Sequence, residues 1–198
     1  MSNVDKEAMR ILETIRNHDV ETYEHSVRVA ILARKTAYRL GIDQHKAFYA
    51  GLLHDTGKIF VDKEILTKDE KLSKEEFALI TSHPRQGMEY LKKKQMPKYV
   101  IYPCVSHHEW KKNPYPRKTK RKPDTREMLS QLIAACDIID AILSNRSYMD
   151  NSLNEVEKVS MITETFNGNT GILGEALGNY DDMLRLFEEG KGEWIMTS

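Results

Sequence analysis

The chain has 198 residues, with 30 Lys and Arg against 30 Asp and Glu and 40% hydrophobic residues, a length that suits one domain, 1–198, able to bury a core. A formal charge of zero with His neutral excludes a globally basic coat for nucleic acid and a dominant acidic tail, while leaving local clusters open. Cys104 and Cys136 stand outside any C-x-x-C pair, and there is neither a basic start followed by an apolar stretch nor an apolar run near the roughly 18 residues that span a bilayer; a cytoplasmic chain without disulfides, signal peptide or membrane span is expected.

Apolar residues recur at helical spacing in stretches rich in Lys, Glu, Leu, Ala and Ile, which predicts an all-α chain, a single compact bundle of about seven to nine helices. Residues 4–17 carry Val4, Ala8, Ile11, Leu12 and Ile15 on one stripe, and 22–40 repeat it with Val27, Ala30, Ile31 and Ala37 before Gly41 ends the helix. A third helix, 43–56, brings Phe48, Leu52 and Leu53 inward and delivers His54-Asp55 at its end, with Gly57 as terminator. Ser73 and Glu76 form a capping-box pattern, Pro84 suits the first turn of a helix running to Lys94, and Pro97 and Pro103 bracket a short helix ending near His107-His108. Residues 111–123 read as an exposed loop. The pattern resumes at 125–144, where Met128, Leu132, Ala135, Ile139 and Ile142 form a core stripe, and continues at 153–166 and 173–188.

His25, His54-Asp55, His83, His107-His108 and Asp137 fall near helix ends or inside strongly apolar helices. Taken singly, a buried histidine is more often a hydrogen-bonded core residue than a metal ligand. Five histidines and two aspartates in one small domain, however, leave many buried polar groups in need of partners, and a cation satisfies several of them together. Imidazole and carboxylate without thiolate suit divalent Fe, Mn or Zn, and a carboxylate can bridge two ions. Such a pair, about 3.5–4 Å apart, generates hydroxide near neutral pH and clamps phosphoryl oxygens during in-line displacement, which points to phosphodiester hydrolysis.

His25, His54-Asp55 and Asp137 reproduce the H…HD…D pattern of the HD-domain metal phosphohydrolases. The stretch His54-Asp55-Thr56-Gly57-Lys58-Ile59, the following EILTKDEKLSKEEFALITSHPRQGMEYL and His107-His108-Glu109 resemble the HD-GYP subfamily, whose members hydrolyse cyclic dinucleotides, chiefly cyclic di-GMP. The resemblance runs from about residue 18 to 148, with an echo at Gly178-Asn179-Tyr180-Asp181. It implies an HD-domain helical bundle and two divalent ions, Fe or Mn. His25, His54, Asp55 and Asp137 would hold one ion, and Asp55 would bridge to a second held by His83, His107 and His108. Glu21, one helical turn before His25, would add a third. Lys58 would neutralise a substrate phosphate, and Arg146, Tyr148 and Tyr115 would contact the dinucleotide. Asp55 and Lys58 are thus the expected catalytic pair, acting with a hydroxide between the ions on a phosphodiester to yield linear dinucleotide or GMP. An HD phosphohydrolase acting on mononucleotides or other phosphate esters, or a catalytically weak cyclic-dinucleotide-binding signalling module, are the alternative readings.

The family's loop reads roughly His-His-Glu-x-x-Asp-Gly-x-Gly-Tyr-Pro, and here it is HHEWKKNPYP. One residue is missing, Lys112-Asn113 replace Asp-Gly, and Pro114 replaces the last Gly. Proline fixes φ and removes a donor where glycine has freedom, so the loop must take another shape. Met149 also replaces a residue that is basic in many relatives. All the ligand positions are kept, while the base-recognition side differs. Between 111 and 122 there are seven cations and no acid. This segment reads equally as a solvated loop and as an electrostatic funnel for an anionic nucleotide. Trp110 and Tyr115 offer stacking surfaces, but one short basic loop is weak evidence for nucleic acid, which is not the expected partner. No membrane partner is expected; a homodimer or a separate signalling partner is left open, and regulation would come from expression, metal supply or a separate partner.

Overall fold

Side-chain caps set the first helix boundaries. Ser2 and Asp5 exchange hydrogen bonds across the first turn of α1 (Asn3–His18), and Asp19 accepts from the Thr22 amide at 2.8 Å to open α2 (Val20–Leu40). Gly41 closes α2 with a left-handed φ of 66°, the conformation for which glycine has no Cβ penalty. Residues 2–117, 127–144 and 153–190 are described in this computed structural model. Among them the regular structure is eleven α-helices and two short 3-10 turns, with one isolated bridge between Lys111 and Phe166.

The all-α expectation holds, and its refinements have local causes. The third helix, α3 (Gln44–Leu53), stops short of the HD pair. The His54 ring donates to the Gly51 carbonyl at 2.7 Å and the Thr56 hydroxyl to that of Leu53 at 2.8 Å. Side chains thereby take the carbonyls that a continuing helix would use. The chain tightens into a 3-10 turn over Thr56–Phe60. Gly57 is no left-handed terminator. A Cβ there would lie 1.9 Å from the His83 carbonyl oxygen and 2.7 Å from the Gly87 nitrogen, so its task is to let the HD segment touch the helix that begins at His83.

After α4 (Lys63–Leu66), a single turn that periodicity does not announce, α5 (Lys74–Ile80) opens on the expected Ser73–Glu76 capping box. α6 (His83–Lys93) carries Pro84 in its first turn. α7 (Lys98–Ser106) ends beside His107-His108 as expected and holds Pro103 inside it, and a 3-10 turn over His107–Trp110 follows directly. α9 (Glu155–Thr165) agrees with its stripe, but the predicted 173–188 helix is two, α10 (Thr170–Gly178) and α11 (Tyr180–Glu189). They break at Asn179, whose side-chain amide donates to the Glu175 carbonyl at 2.7 Å.

The core forms around α8 (Met128–Leu143). Ile133, Ala134, Ala135, Cys136 and Ile139 are all fully inaccessible, and a helix apolar on every side is stable only when wrapped by others. α2, α3, α7, α9 and α10 wrap it. Asp137 and Asp140 therefore lie inside the core on one helix face, where a carboxylate demands cationic partners. No helix of the described residues is long and apolar enough to cross a membrane.

Candidate metal centre

Four histidines share one wiring. His54 donates through Nδ1 to the Gly51 carbonyl at 2.7 Å, His83 to that of Ile80 at 2.7 Å, and His107 to that of Cys104 at 2.9 Å. In each case the acceptor is three residues earlier, in or beside the last turn of a helix, where carbonyls lack helical partners. His25 donates through Nδ1 to Asp140 Oδ2 at 2.7 Å. Carbonyls and carboxylates only accept, so each ring carries its proton on Nδ1 and turns Nε2 inward. All four side chains are buried.

The inward atoms gather around two carboxylates. Asp55 Oδ1 lies 3.2 Å from His83 Nε2 and 3.6 Å from His107 Nε2; its Oδ2 lies 3.5 Å from His54 Nε2 and 3.7 Å from His25 Nε2. Asp137 Oδ1 lies 3.2 Å from His25 Nε2 and 3.8 Å from His54 Nε2, and its Oδ2 faces His108 Nδ1 at 3.6 Å. Two donor groups result, Asp55 with His83, His107 and His108, and Asp55 with His25 and His54, the donor atoms of each lying within 4.8 Å of one another.

This arrangement is unsatisfied by protein alone. His83 Nε2 and His107 Nε2 face each other at 3.4 Å with both Nδ1 protons already committed. His54 Nε2 and His108 Nδ1 are buried without a hydrogen bond. Converging lone pairs need a cation between them, and neutral imidazole with carboxylate is the donor set of divalent transition metals. Burial pushes His107 down to about 4, and burial with the nearby Lys111 cation holds His108 well below its ordinary value. Both rings are therefore neutral bases at physiological pH. Burial opposes ionisation of Asp55 and Asp137. Lys58 and His54 outweigh it at Asp55, and Lys111 and His25 at Asp137, holding both carboxyls well below the usual range. For His54, burial is likewise overcome, by Asp55 and Asp137, which raise it.

A model of the HD domain family matches residues 22–163. The chain belongs to the HD domain family. It is 34% identical over 162 residues to the cyclic di-GMP phosphodiesterase PA4108 of Pseudomonas aeruginosa, covering 79% of this chain and 38% of that protein. It is 30% identical over 166 residues to a cyclic di-GMP phosphodiesterase of Thermotoga maritima, covering 78% and 45%. The chain thus spans less than half the length of either relative, and both agree with the HD-GYP form of the resemblance. In fold, this HD domain is similar to that of the L. monocytogenes phosphodiesterase PgpH, solved in complex with cyclic-di-AMP, with a TM-score of 0.61 over 90% of this chain and 96% of that one at 18% identity.

Most of the predicted site residues of the HD domain come together. His25, His54, Asp55, His83, His107, His108 and Asp137 form the cluster; Lys58 Nζ reaches Asp55 Oδ2 at 2.6 Å. Tyr115 stacks on His108 with ring centroids 4.4 Å apart. Glu21 is exposed and joins neither donor group. Arg146, Tyr148 and Met149 lie outside the described residues, as do Lys118, Lys120, Arg121 and Lys122 of the basic segment. Trp110 offers no stacking surface, because it is fully buried. Arg117 is bound through both Nε and NH2 to the buried Glu109 at 2.6 Å each while remaining largely exposed, so two of this segment's cations, Lys111 and Arg117, are paired with buried carboxylates.

Sequence reasoning missed Asp140 and Arg28. Asp140 accepts from Arg28 Nε at 2.8 Å and NH2 at 3.1 Å while holding the His25 ring, the hydrogen-bonded backing that orients a metal-binding imidazole. The available signal was an acid three residues after Asp137 in an otherwise apolar helix, with an arginine three residues after His25 in a buried one.

Proposed function

We propose that this HD domain is a metal-dependent phosphodiesterase that hydrolyses a cyclic dinucleotide, cyclic di-GMP in the first place, to linear dinucleotide or GMP using two Fe or Mn ions. The observation that carries the reading is the common wiring of His25, His54, His83 and His107, each with Nδ1–H spent on the protein and Nε2 turned toward Asp55 or Asp137. His25, His54, Asp55 and Asp137 would hold one ion, and Asp55, His83, His107 and His108 the other. When bound, such ions supply Lewis-acid polarisation of a phosphodiester and activation of water at neutral pH.

The chain's own residues set the rest. Asp55 offers one oxygen to each donor group, which ties the two groups to a single carboxylate. Lys58 lies on the Asp55 oxygen that also faces His25 and His54. With Asp55 engaged as a metal ligand, the Lys58 ammonium would be available to a phosphate oxygen. Tyr115 stacks on His108 and presents a ring beside the cluster for a base. The cyclic dinucleotide activity named for both curated relatives supports the substrate class.

Turnover of cyclic di-GMP, other cyclic dinucleotides, linear dinucleotide and nucleoside monophosphates by one metal-loaded sample tests this. Ring opening of a cyclic dinucleotide is the expected result. Hydrolysis confined to monophosphates, or tight binding without turnover, would overturn it.

A further inference from the structure

The shortened loop after the His107-His108 pair has a defined path. Trp110 is buried and its carbonyl accepts from the Asn167 amide at 2.7 Å; Lys111 pairs in an isolated bridge with Phe166, and the Lys112 amide donates to the Thr165 carbonyl at 2.9 Å. At its far end Arg117 is clamped on Glu109. The backbone at Lys111 is thereby fastened to the α9–α10 connection, and its side chain runs inward until Nζ lies 3.2 Å from Asp137 Oδ2, with 20% of the side chain still exposed.

The two oxygens of Asp137 divide their work. Oδ1 faces His25 and His54, and Oδ2 faces Lys111 and His108. Lys111 therefore does not occupy the oxygen turned to the His25–His54 donor group, in contrast to Lys58, which shares its Asp55 oxygen with that group. An ammonium has three N–H donors. One directed at Asp137 leaves two for another anion, from a position fixed before that anion arrives. A cyclic dinucleotide carries two phosphodiesters, and only one of them can lie at the reacting centre. The other needs a cation. Among the described cations of the 111–117 segment, Arg117 is spent on Glu109 and Lys112 is exposed, so Lys111 is the one facing the cluster.

We propose that Lys111 is a substrate-binding residue that holds the uncleaved phosphodiester of a cyclic dinucleotide, so that the shortened loop selects substrates with two phosphates. This rests on the phosphodiesterase reading above. The test compares Lys111→Met, which keeps the bulk and removes the charge, with Lys111→Arg, both at saturating metal. Lys111→Met is expected to raise the KM for cyclic dinucleotide about tenfold, the share of one charge-assisted hydrogen bond. Its kcat stays within about threefold of wild type, any loss on the single diester bis(p-nitrophenyl) phosphate is smaller than the loss on cyclic dinucleotide, and Lys111→Arg restores most of the loss. Calorimetric binding of a phosphorothioate cyclic dinucleotide to the metal-loaded protein should weaken by the same factor, and in wild type should depend more steeply on salt than in Lys111→Met. An unchanged KM, or a kcat loss shared equally by both substrates, would overturn the proposal while leaving the phosphodiesterase reading intact. A wild-type protein inactive on every cyclic dinucleotide would overturn both.

Discussion

Asp55→Ala is expected to abolish binding of both ions and to lower kcat/KM by at least about a thousandfold, about 4 kcal/mol of transition-state stabilisation. The size follows from the position of one carboxylate between two donor groups. Oδ1 serves His83 and His107, and Oδ2 serves His54 and His25. No other described carboxylate belongs to both groups. An alanine leaves four inward-facing imidazole nitrogens without the anion that makes a divalent cation favourable among them. Metal content and turnover, measured on a variant whose circular dichroism matches wild type, decide the matter. Retention of one full ion would mean that Asp137 and the histidines suffice for a site, and that Asp55 is not shared.

Asp140 should show a different profile, because it never faces the donor groups. Asp140→Ala removes the acceptor of the His25 Nδ1 proton and leaves the Arg28 guanidinium with Glu24, at 3.9 Å, in place of its bidentate buried partner. Breaking a buried ion pair from one side costs about 3–5 kcal/mol, or a melting temperature lower by roughly 6–20 °C for a chain of this length. Asp140→Asn is gentler. Its amide oxygen can still accept from His25, but the charge that pairs with Arg28 and makes the imidazole more basic is gone. Metal affinity should fall about 10–100-fold with a smaller loss of stability. Competition with a chelator and thermal melting separate the two effects. An Asp140→Asn protein that melts lower yet binds metal as tightly as wild type would reduce Asp140 to a structural residue. Arg28 also lies 5.3 Å from the Phe187 ring, so α11 covers this pair and shares in its burial.

What sequence made legible was whatever depends on neighbours a few residues away. The apolar stripes, the Ser73–Glu76 box and the Gly41 stop are local, and the structure repeats them. The candidate ligand set was legible from the chain's resemblance to the HD-GYP subfamily at those positions. Histidine and aspartate near the ends of apolar helices by themselves point only to some cation. The i−3 carbonyls that hold His54, His83 and His107 are local as well.

The features that sequence hid depend on distant partners. Arg28 meets Asp140 across 112 positions, through the packing of α2 on α8. Gly57 reads as a terminator because glycine so often is one, and only the approach of α6 shows that its missing Cβ makes room for the His83 carbonyl. Lys111 looked like one cation among seven. Its separate fate is decided by the Trp110–Asn167 and Lys111–Phe166 pairings, which need the α9–α10 connection in place. The formal neutrality of the chain hides the same division. Lys111 and Arg117 are balanced by the buried carboxylates of Asp137 and Glu109, while acids outnumber cations nine to three over 155–193.

The most direct test of the metal centre is elemental analysis of wild-type protein purified without chelator and then loaded anaerobically with Fe(II) or Mn(II). Convergence of the inward histidine nitrogens on Asp55 and Asp137 predicts about two tightly held divalent ions per chain, and a lower melting temperature once they are stripped. Protein that retains less than about a tenth of an ion per chain after loading, and melts at the same temperature with and without metal, would contradict it.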